Sequence, residues 1–235
     1  MKLAISQPTF LPWAGYFSLI DYVDHFIFLD DVQFEKRSWQ QRNYISLNQK
    51  NFLLTVPVIS KGKRFQNINE VLILSENLDK ISKTIFHAYK KSKFFENYFF
   101  EIDKILRNNN KILNLNCELI KYIVKKLGIT TKINFQTEIK INSKKENLIF
   151  DICKKLKCDE YISTIGAKIY LEEYENVPNS NIKINYFTYT DNPYNQYDNN
   201  NINKLSVIDL LFNEGPQSLK IIRKGFKLLK KNEKI

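Results

Sequence analysis

The first 31 residues constrain the fold of this chain most. Residues 2–6, KLAIS, make a short apolar strand. Pro8 and Pro12 in the following QPTFLPW cannot donate to a sheet ladder, so the strand must end there. Residues 14–23 then set Tyr16/Phe17, Ile20 and Val23 at helical spacing toward a core. HFIFLDD, residues 25–31, returns as a strand that is apolar on both faces, the pattern of a buried position. Strand, loop, helix and strand in this order form a βαβ unit, for which a parallel sheet is the economical solution.

Further strands are expected at 51–59, 132–139, 160–166 and 182–190, with NINEVLIL as a possible extension of the sheet. Pro57 argues for an edge or an end of the 51–59 strand. From 77 to 127 the apolar spacing turns helical and stops at Gly128, a C-terminal capping glycine. Helices are also expected at 145–158 and at 206–215, the latter opening at Ser206 and stopping at Gly215. The fold class is therefore α/β: one domain over 1–235, with a Rossmann-like, mostly parallel sheet, flanking helices, and a helical insertion or subdomain at about 77–127.

Composition excludes several classes. With 43% hydrophobic and 14% aromatic residues the chain can bury a core. No apolar run reaches the roughly 20 residues of a spanning helix, and the run after Met1 ends at Gln7-Pro8, unlike a signal peptide. Stable membrane insertion is not expected. The three cysteines, Cys117, Cys153 and Cys158, are odd in number and lack metal-type spacing, so they read as reduced, semi-buried thiols of a cytoplasmic protein. The net charge of +11 comes with a lysine, asparagine and isoleucine bias spread along the chain, without a basic-aromatic cluster or a nucleic-acid module. A nucleic-acid partner is not expected. The closing IIRKGFKLLKKNEKI reads as a basic amphipathic helix, solvated rather than membrane-bound.

Ligands of open parallel sheets bind outside the carboxyl ends of the strands. The first two strands end at Gln7 and at Asp30-Asp31, so QPTFLPWAGYF and DDVQFEKRSWQQRN should wall one cleft. That places Gln7, Trp13, Tyr16, Asp30, Asp31, Gln33, Lys36, Arg37, Trp39, Arg42 and Asn43 around it. One of Asp30 and Asp31, on alternate sides of the strand, could act as a general base. Arg37 and Arg42, two of only five arginines, suit a phosphate or carboxylate through the guanidinium fork. Trp13 and Trp39, the only two tryptophans, could stack a base or sugar, or could be ordinary core aromatics. His87 on a helix is a further acid–base candidate, whereas His25 reads as structural. Ser163, Thr164 and Gly166 close a strand before a helix, where backbone N–H groups can meet an anion. Asp209 is a lesser candidate. No HExxH, GxSxG, CxxC or Ser-His-Asp set is present, and no metal is expected.

QPTFLPWAGYF, DDVQFEKRSWQQRN, TVPV, YISTIGAKIYL and LSVIDLLFNEGP, in this order, resemble the WbqC-like proteins of bacterial polysaccharide gene clusters, from Ser6 to about Pro216. The resemblance implies an enzyme of O-antigen, lipopolysaccharide or capsule pathways. It would transfer an acyl or aminoacyl group to the amine of a nucleotide-linked amino sugar of UDP or dTDP type, with an acyl-CoA or an activated amino acid as donor. Two other classes are compatible with the residues. One is a HIGH-type nucleotidyltransferase, although FLPWAGYF lacks the histidines of that first turn. The other is a non-catalytic nucleotide-sugar binding protein.

Overall fold

The computed structural model describes residues 1–63, 65–141, 143, 146–168, 171, 182–197 and 202–230. Its centre is a six-stranded sheet in the order β5-β2-β1-β6-β7-β8. The strands are β1 (Lys2–Ser6), β2 (His25–Phe28), β5 (Lys132–Phe135), β6 (Glu160–Thr164), β7 (Lys183–Tyr189) and β8 (Phe226–Lys230). Five are mutually parallel, and β8 pairs antiparallel with β7. The chain is thus an α/β protein with a mostly parallel, Rossmann-like sheet. α1 (Ala14–Tyr22) connects β1 to β2, and α6 (Glu146–Lys155) precedes β6.

Side-chain alternation divides the sheet between two cores. Ala4, Phe26, Phe28, Ile162 and Phe187 face a large cluster, which they share with α1 and with α2 (Leu78–Tyr89), α3 (Phe95–Asn108), α4 (Ile112–Leu127) and α7 (Val207–Glu214). Leu3, Ile5, Ile27, Tyr161 and Tyr186 face a second cluster built on Leu148, Ile152 and Cys153 of α6. All four residues of β2 are buried, as its two-faced apolarity predicts. Each fully buried Phe or Ile there contributes about 1.5–3 kcal/mol. The 77–127 segment is helical, and Gly128 caps α4 in the left-handed region at φ 74°. Ser206 caps α7 by accepting a hydrogen bond from the backbone N–H of Ile208. All three cysteines are buried, unbridged thiols, and burial pushes Cys117 up to about 12.

Three expectations change. The strand beginning at Lys50 stays out of the main sheet: β4 (Lys50–Thr55) forms a two-stranded hairpin with β3 (Arg42–Leu47), a strand the sequence patterns did not reveal. NINEVLIL supplies a 3₁₀ turn, Ile68–Glu70, and isolated bridges instead of a sheet strand. The basic C-terminal helix is also not formed. α8 (Ser218–Lys224) stops at Gly225, and FKLLK becomes β8, whose Phe226 and Leu229 face Tyr189 and Tyr186 across the pair. Antiparallel pairing rewards that alternation more than a solvated helix would. Residues 231–235 lie outside the described residues. Among the described residues no helix is long and apolar enough to cross a membrane.

His25 is 6% exposed at the start of β2, and its Nε2 lies 2.9 Å from Asn134 Oδ1 in β5. Burial, with Lys132 nearby, lowers its pKa from the ordinary value. The folded state therefore holds His25 neutral, while the unfolded chain takes up a proton as pH falls past about 6.5. This contribution to stability is complete above that pH and is lost on acidification toward the lower folded value. Between about pH 7.5 and 5.5 the Tm of wild type should fall more steeply than that of His25→Gln. Parallel Tm–pH curves would refute the assignment.

Candidate functional site

β1 pairs with β2 on one side and β6 on the other, so the sheet reverses its winding beside β1. Such a switch point leaves a crevice at the carboxyl ends of the strands. A cavity of about 940 Å³ opens there, touching Ser6 at the end of β1, Thr164 at the end of β6 and Tyr189 at the end of β7. Its volume is near the top of the roughly 300–1,000 Å³ typical of small-molecule sites.

Aromatic side chains make the walls: Trp13, Tyr16, Trp39, Tyr44 and Tyr189. Trp13 meets Tyr189 edge to face with ring centroids 5.3 Å apart, and Trp39 leans on Tyr44 at 6.0 Å. Trp13 is 37% and Trp39 53% exposed, so neither is a core residue. Their rings face solvent-accessible space, where a planar ligand gains contact area. Gly15 makes room for the Trp13 indole, because a Cβ at that position would lie 2.5 Å from the ring. Hydroxyls of Ser6, Thr9, Thr164 and Thr190 and amides of Asn43 and Asn203 supply polar points around this surface. Among the described lining residues there is one carboxylate, Asp191, and one cation, Lys204.

The QPTFLPWAGYF and DDVQFEKRSWQQRN stretches do pack together. Phe10 N donates to Trp39 O at 2.9 Å, and Gln40 Nε2 donates to Gln7 Oε1 at 2.6 Å. Buried Asn43 donates to Leu11 O at 2.7 Å while its Oδ1 accepts from Tyr44 N at 2.8 Å. From α4, fully buried Asn116 donates to both Pro8 O and Gln40 O, at 3.1 and 2.8 Å. A third segment closes the assembly: Ser206 N donates to Tyr44 O at 2.8 Å and Val207 N to Pro12 O at 2.9 Å. Tyr16 donates its hydroxyl to Gln7 O at 3.1 Å, and burial holds that phenol well above its ordinary pKa. Burial and neighbouring Asp191 likewise raise Tyr189, so both phenols remain protonated donors at neutral pH.

Of the residues assigned from sequence, Trp13, Tyr16, Trp39, Asn43 and Thr164 line the cavity, and Gln7 braces its wall. The others do not line it. Asp30 is buried at the end of β2, where its carboxylate accepts from Thr137 N at 3.1 Å and Thr137 Oγ1 at 2.5 Å. It satisfies the first turn of α5 (Gln136–Ile139), whose N–H groups lack helical partners. Asp31 is exposed and accepts from the side-chain amides of Asn67 and Asn69 at 2.9 and 3.2 Å. Gln33 forms an isolated bridge with Asn67 on the same outer edge. Lys36 and Arg37 are exposed, Arg37 with a positive φ of 60° in the turn. Arg42 opens β3 opposite Thr55. His87 is exposed on α2, its ring edge-on to Phe86 at 5.8 Å, because the buried face of that helix is Ile81, Ile85 and Tyr89. Gly166 sits in the 3₁₀ turn Ile165–Ala167 after β6, and most of the segment beyond it, 169–170 and 172–181, lies outside the described residues.

Asp191 and Lys204 were missed by sequence reading. The signal for Asp191 was available: it follows the 182–190 strand directly, where the carboxyl-end rule applies as it does to Gln7. Lys204 carried no signal in a chain with so many lysines.

A family model described as the WbqC-like protein family matches residues 7–221, a span that contains every lining residue except Ser6. The uncharacterized protein Rv1507c of Mycobacterium tuberculosis is 31% identical over 229 residues, 94% of this chain and 97% of its own length. No solved structure matches the chain.

Proposed function

The chain belongs to the WbqC-like protein family, and from that premise we propose that it transfers an acyl or aminoacyl group to the amine of a nucleotide-linked amino sugar in bacterial surface-polysaccharide synthesis. The observation that carries this reading is the open, aromatic-walled cavity at the sheet's switch point. Its volume suits a nucleotide sugar better than a single monosaccharide. Exposed Trp39 with Tyr44 offers faces for a uracil or thymine ring and for a sugar. The hydroxyl and amide groups suit sugar hydroxyls, and Lys204 supplies the positive charge for the diphosphate. This role falls to Lys204 instead of Arg37 and Arg42, which lie outside the lining.

In the transfer the amine nitrogen attacks the carbonyl carbon of an activated acyl donor such as a thioester. A C–N bond forms and the carbon–sulfur bond breaks. The proton lost by nitrogen passes to a base and from there to the departing thiolate. A HIGH-type nucleotidyltransferase is disfavoured, because the described lining contains no histidine to meet ATP.

Thermal-shift and calorimetric titration with UDP- and dTDP-amino sugars, CoA thioesters and ATP–Mg²⁺ tests the proposal. A nucleotide amino sugar should raise the Tm, and Trp39→Ala should weaken its binding roughly tenfold, about 1.4 kcal/mol. Stabilisation by ATP–Mg²⁺ alone, or undiminished binding by Trp39→Ala, would overturn it.

A further inference from the structure

We infer that Asp191, with the rings of Trp13 and Tyr189, forms an ammonium-binding subsite that fixes the acceptor of this cavity as an amine rather than a hydroxyl. The inference rests on the proposed function for the identity of the whole ligand, but the subsite stands on its own geometry. Asp191 lies two residues beyond the end of β7, in the stretch where Thr190 N is tied to Gly225 O at 3.0 Å. Its Oδ2 accepts the backbone N–H of Lys204 at 3.0 Å, which fixes the side chain at the rim. Among the described residues no Lys or Arg forms an ion pair with it, and its Oδ1 has no hydrogen-bond partner. A half-buried carboxylate with an open oxygen, lining an apolar-walled cavity, calls for a cationic donor from the ligand.

The surrounding groups favour the same ligand. Tyr189 precedes Asp191 by two residues, and its ring meets the Trp13 indole at 88°. Ammonium is attracted to such aromatic faces through their quadrupoles, with Trp the strongest partner. A hydroxyl at the same place would gain neither the cation–π attraction nor a charge-to-charge contact with the carboxylate. Lys204 shares the rim, so a ligand with a positive group beside a negative one matches both charges together. A nucleotide-linked amino sugar has that pattern: the diphosphate goes toward Lys204 and the amine toward Asp191. The nucleobase is then left to the Trp39 and Tyr44 side. For the transfer the bound ammonium first releases one proton to solvent, which leaves an amine with a lone pair. The same carboxylate then takes the second proton as the nitrogen attacks and passes it to the departing thiolate, so one residue both binds the amine and acts as its base.

The test compares wild type with Asp191→Asn, whose amide oxygen can still accept from Lys204 N and so preserves the loop. Calorimetry would use a UDP-amino sugar and the UDP sugar bearing a hydroxyl at the same carbon. Free glucosamine and glucose, followed by tryptophan fluorescence, probe the subsite without the nucleotide. Wild type should prefer each amine over its hydroxyl partner by tenfold or more. Asp191→Asn should abolish the preference while holding affinity for the hydroxyl sugar within twofold. Equal binding of amine and hydroxyl by wild type, or a preference that survives in Asp191→Asn, overturns the inference. If glucosamine binds selectively and neither nucleotide sugar binds, the subsite stands and the proposed function falls. If neither amine binds, the subsite is wrong.

Discussion

Asp209→Ala should lose about 3 kcal/mol of unfolding free energy. Asp209 is 1% exposed in the first turn of α7. Its Oδ1 accepts from the Tyr194 hydroxyl at 2.7 Å and from Asn213 Nδ2 at 3.2 Å, and the Tyr89 hydroxyl is a further hydrogen-bond partner. Tyr89 in turn accepts from Ser46 N at 2.9 Å. One carboxylate therefore joins α2, the β3 strand, the 194 loop and α7. Truncation would strand the buried Tyr89 phenol and the half-buried Tyr194 phenol, each costing about 1 kcal/mol or more without an acceptor, while Asn213 Nδ2 keeps the backbone oxygen of residue 209 at 2.8 Å. Asp209→Asn keeps one acceptor oxygen and should lose roughly half as much. Urea unfolding of both variants measures this; an Asp209→Ala midpoint equal to wild type would show the network to be dispensable.

Gly225→Ala should be comparably severe, at about 3 kcal/mol, and for a different reason. The backbone at Gly225 has an ordinary φ of −83°, so conformational freedom is not the issue. Space is: an added Cβ would stand 2.4 Å from the carbonyl oxygen of Thr190 and 2.5 Å from Cζ of the Tyr189 ring. The first of these is backbone and cannot swing aside. Relief requires β8 to separate from β7, breaking the pairing that begins at Tyr189 and Phe226. Tyr189 also walls the cavity, so thermal unfolding and ligand titration should show joint losses in Tm and affinity. An alanine variant with both intact would mean the approach relaxes without cost.

These two residues also mark what a single sequence discloses. The opening βαβ unit was legible because its alternation, prolines and helical spacing are local signals. So was the contact between the two tryptophan-bearing loops, since parallel neighbours bring their carboxyl ends together. The helices of 77–127 and the Ser206 cap were likewise written in local pattern. What stayed hidden depends on distant pairing. Asp30 could not be distinguished from a working carboxylate until α5 arrived to claim it, 107 residues further on at Thr137. FKLLK is helical by composition and becomes a strand only because β7 offers it an edge. The charged rim residues Asp191 and Lys204 come from the last quarter of the chain, and only the strand order carries them back to Trp13.

That strand order also governs how the protein is made. Lys2 lies against Glu160, so one edge of β1 has no partner until about 160 residues have been joined. At cellular translation rates of roughly 5–20 residues per second, a nascent chain would carry that unpaired edge for on the order of ten seconds. During this time β1 and β2 can dock on α1, but the crevice does not exist. Chaperone dependence during synthesis should accordingly be greatest for ribosome-bound chains that end before β6 and should decline once β7 emerges.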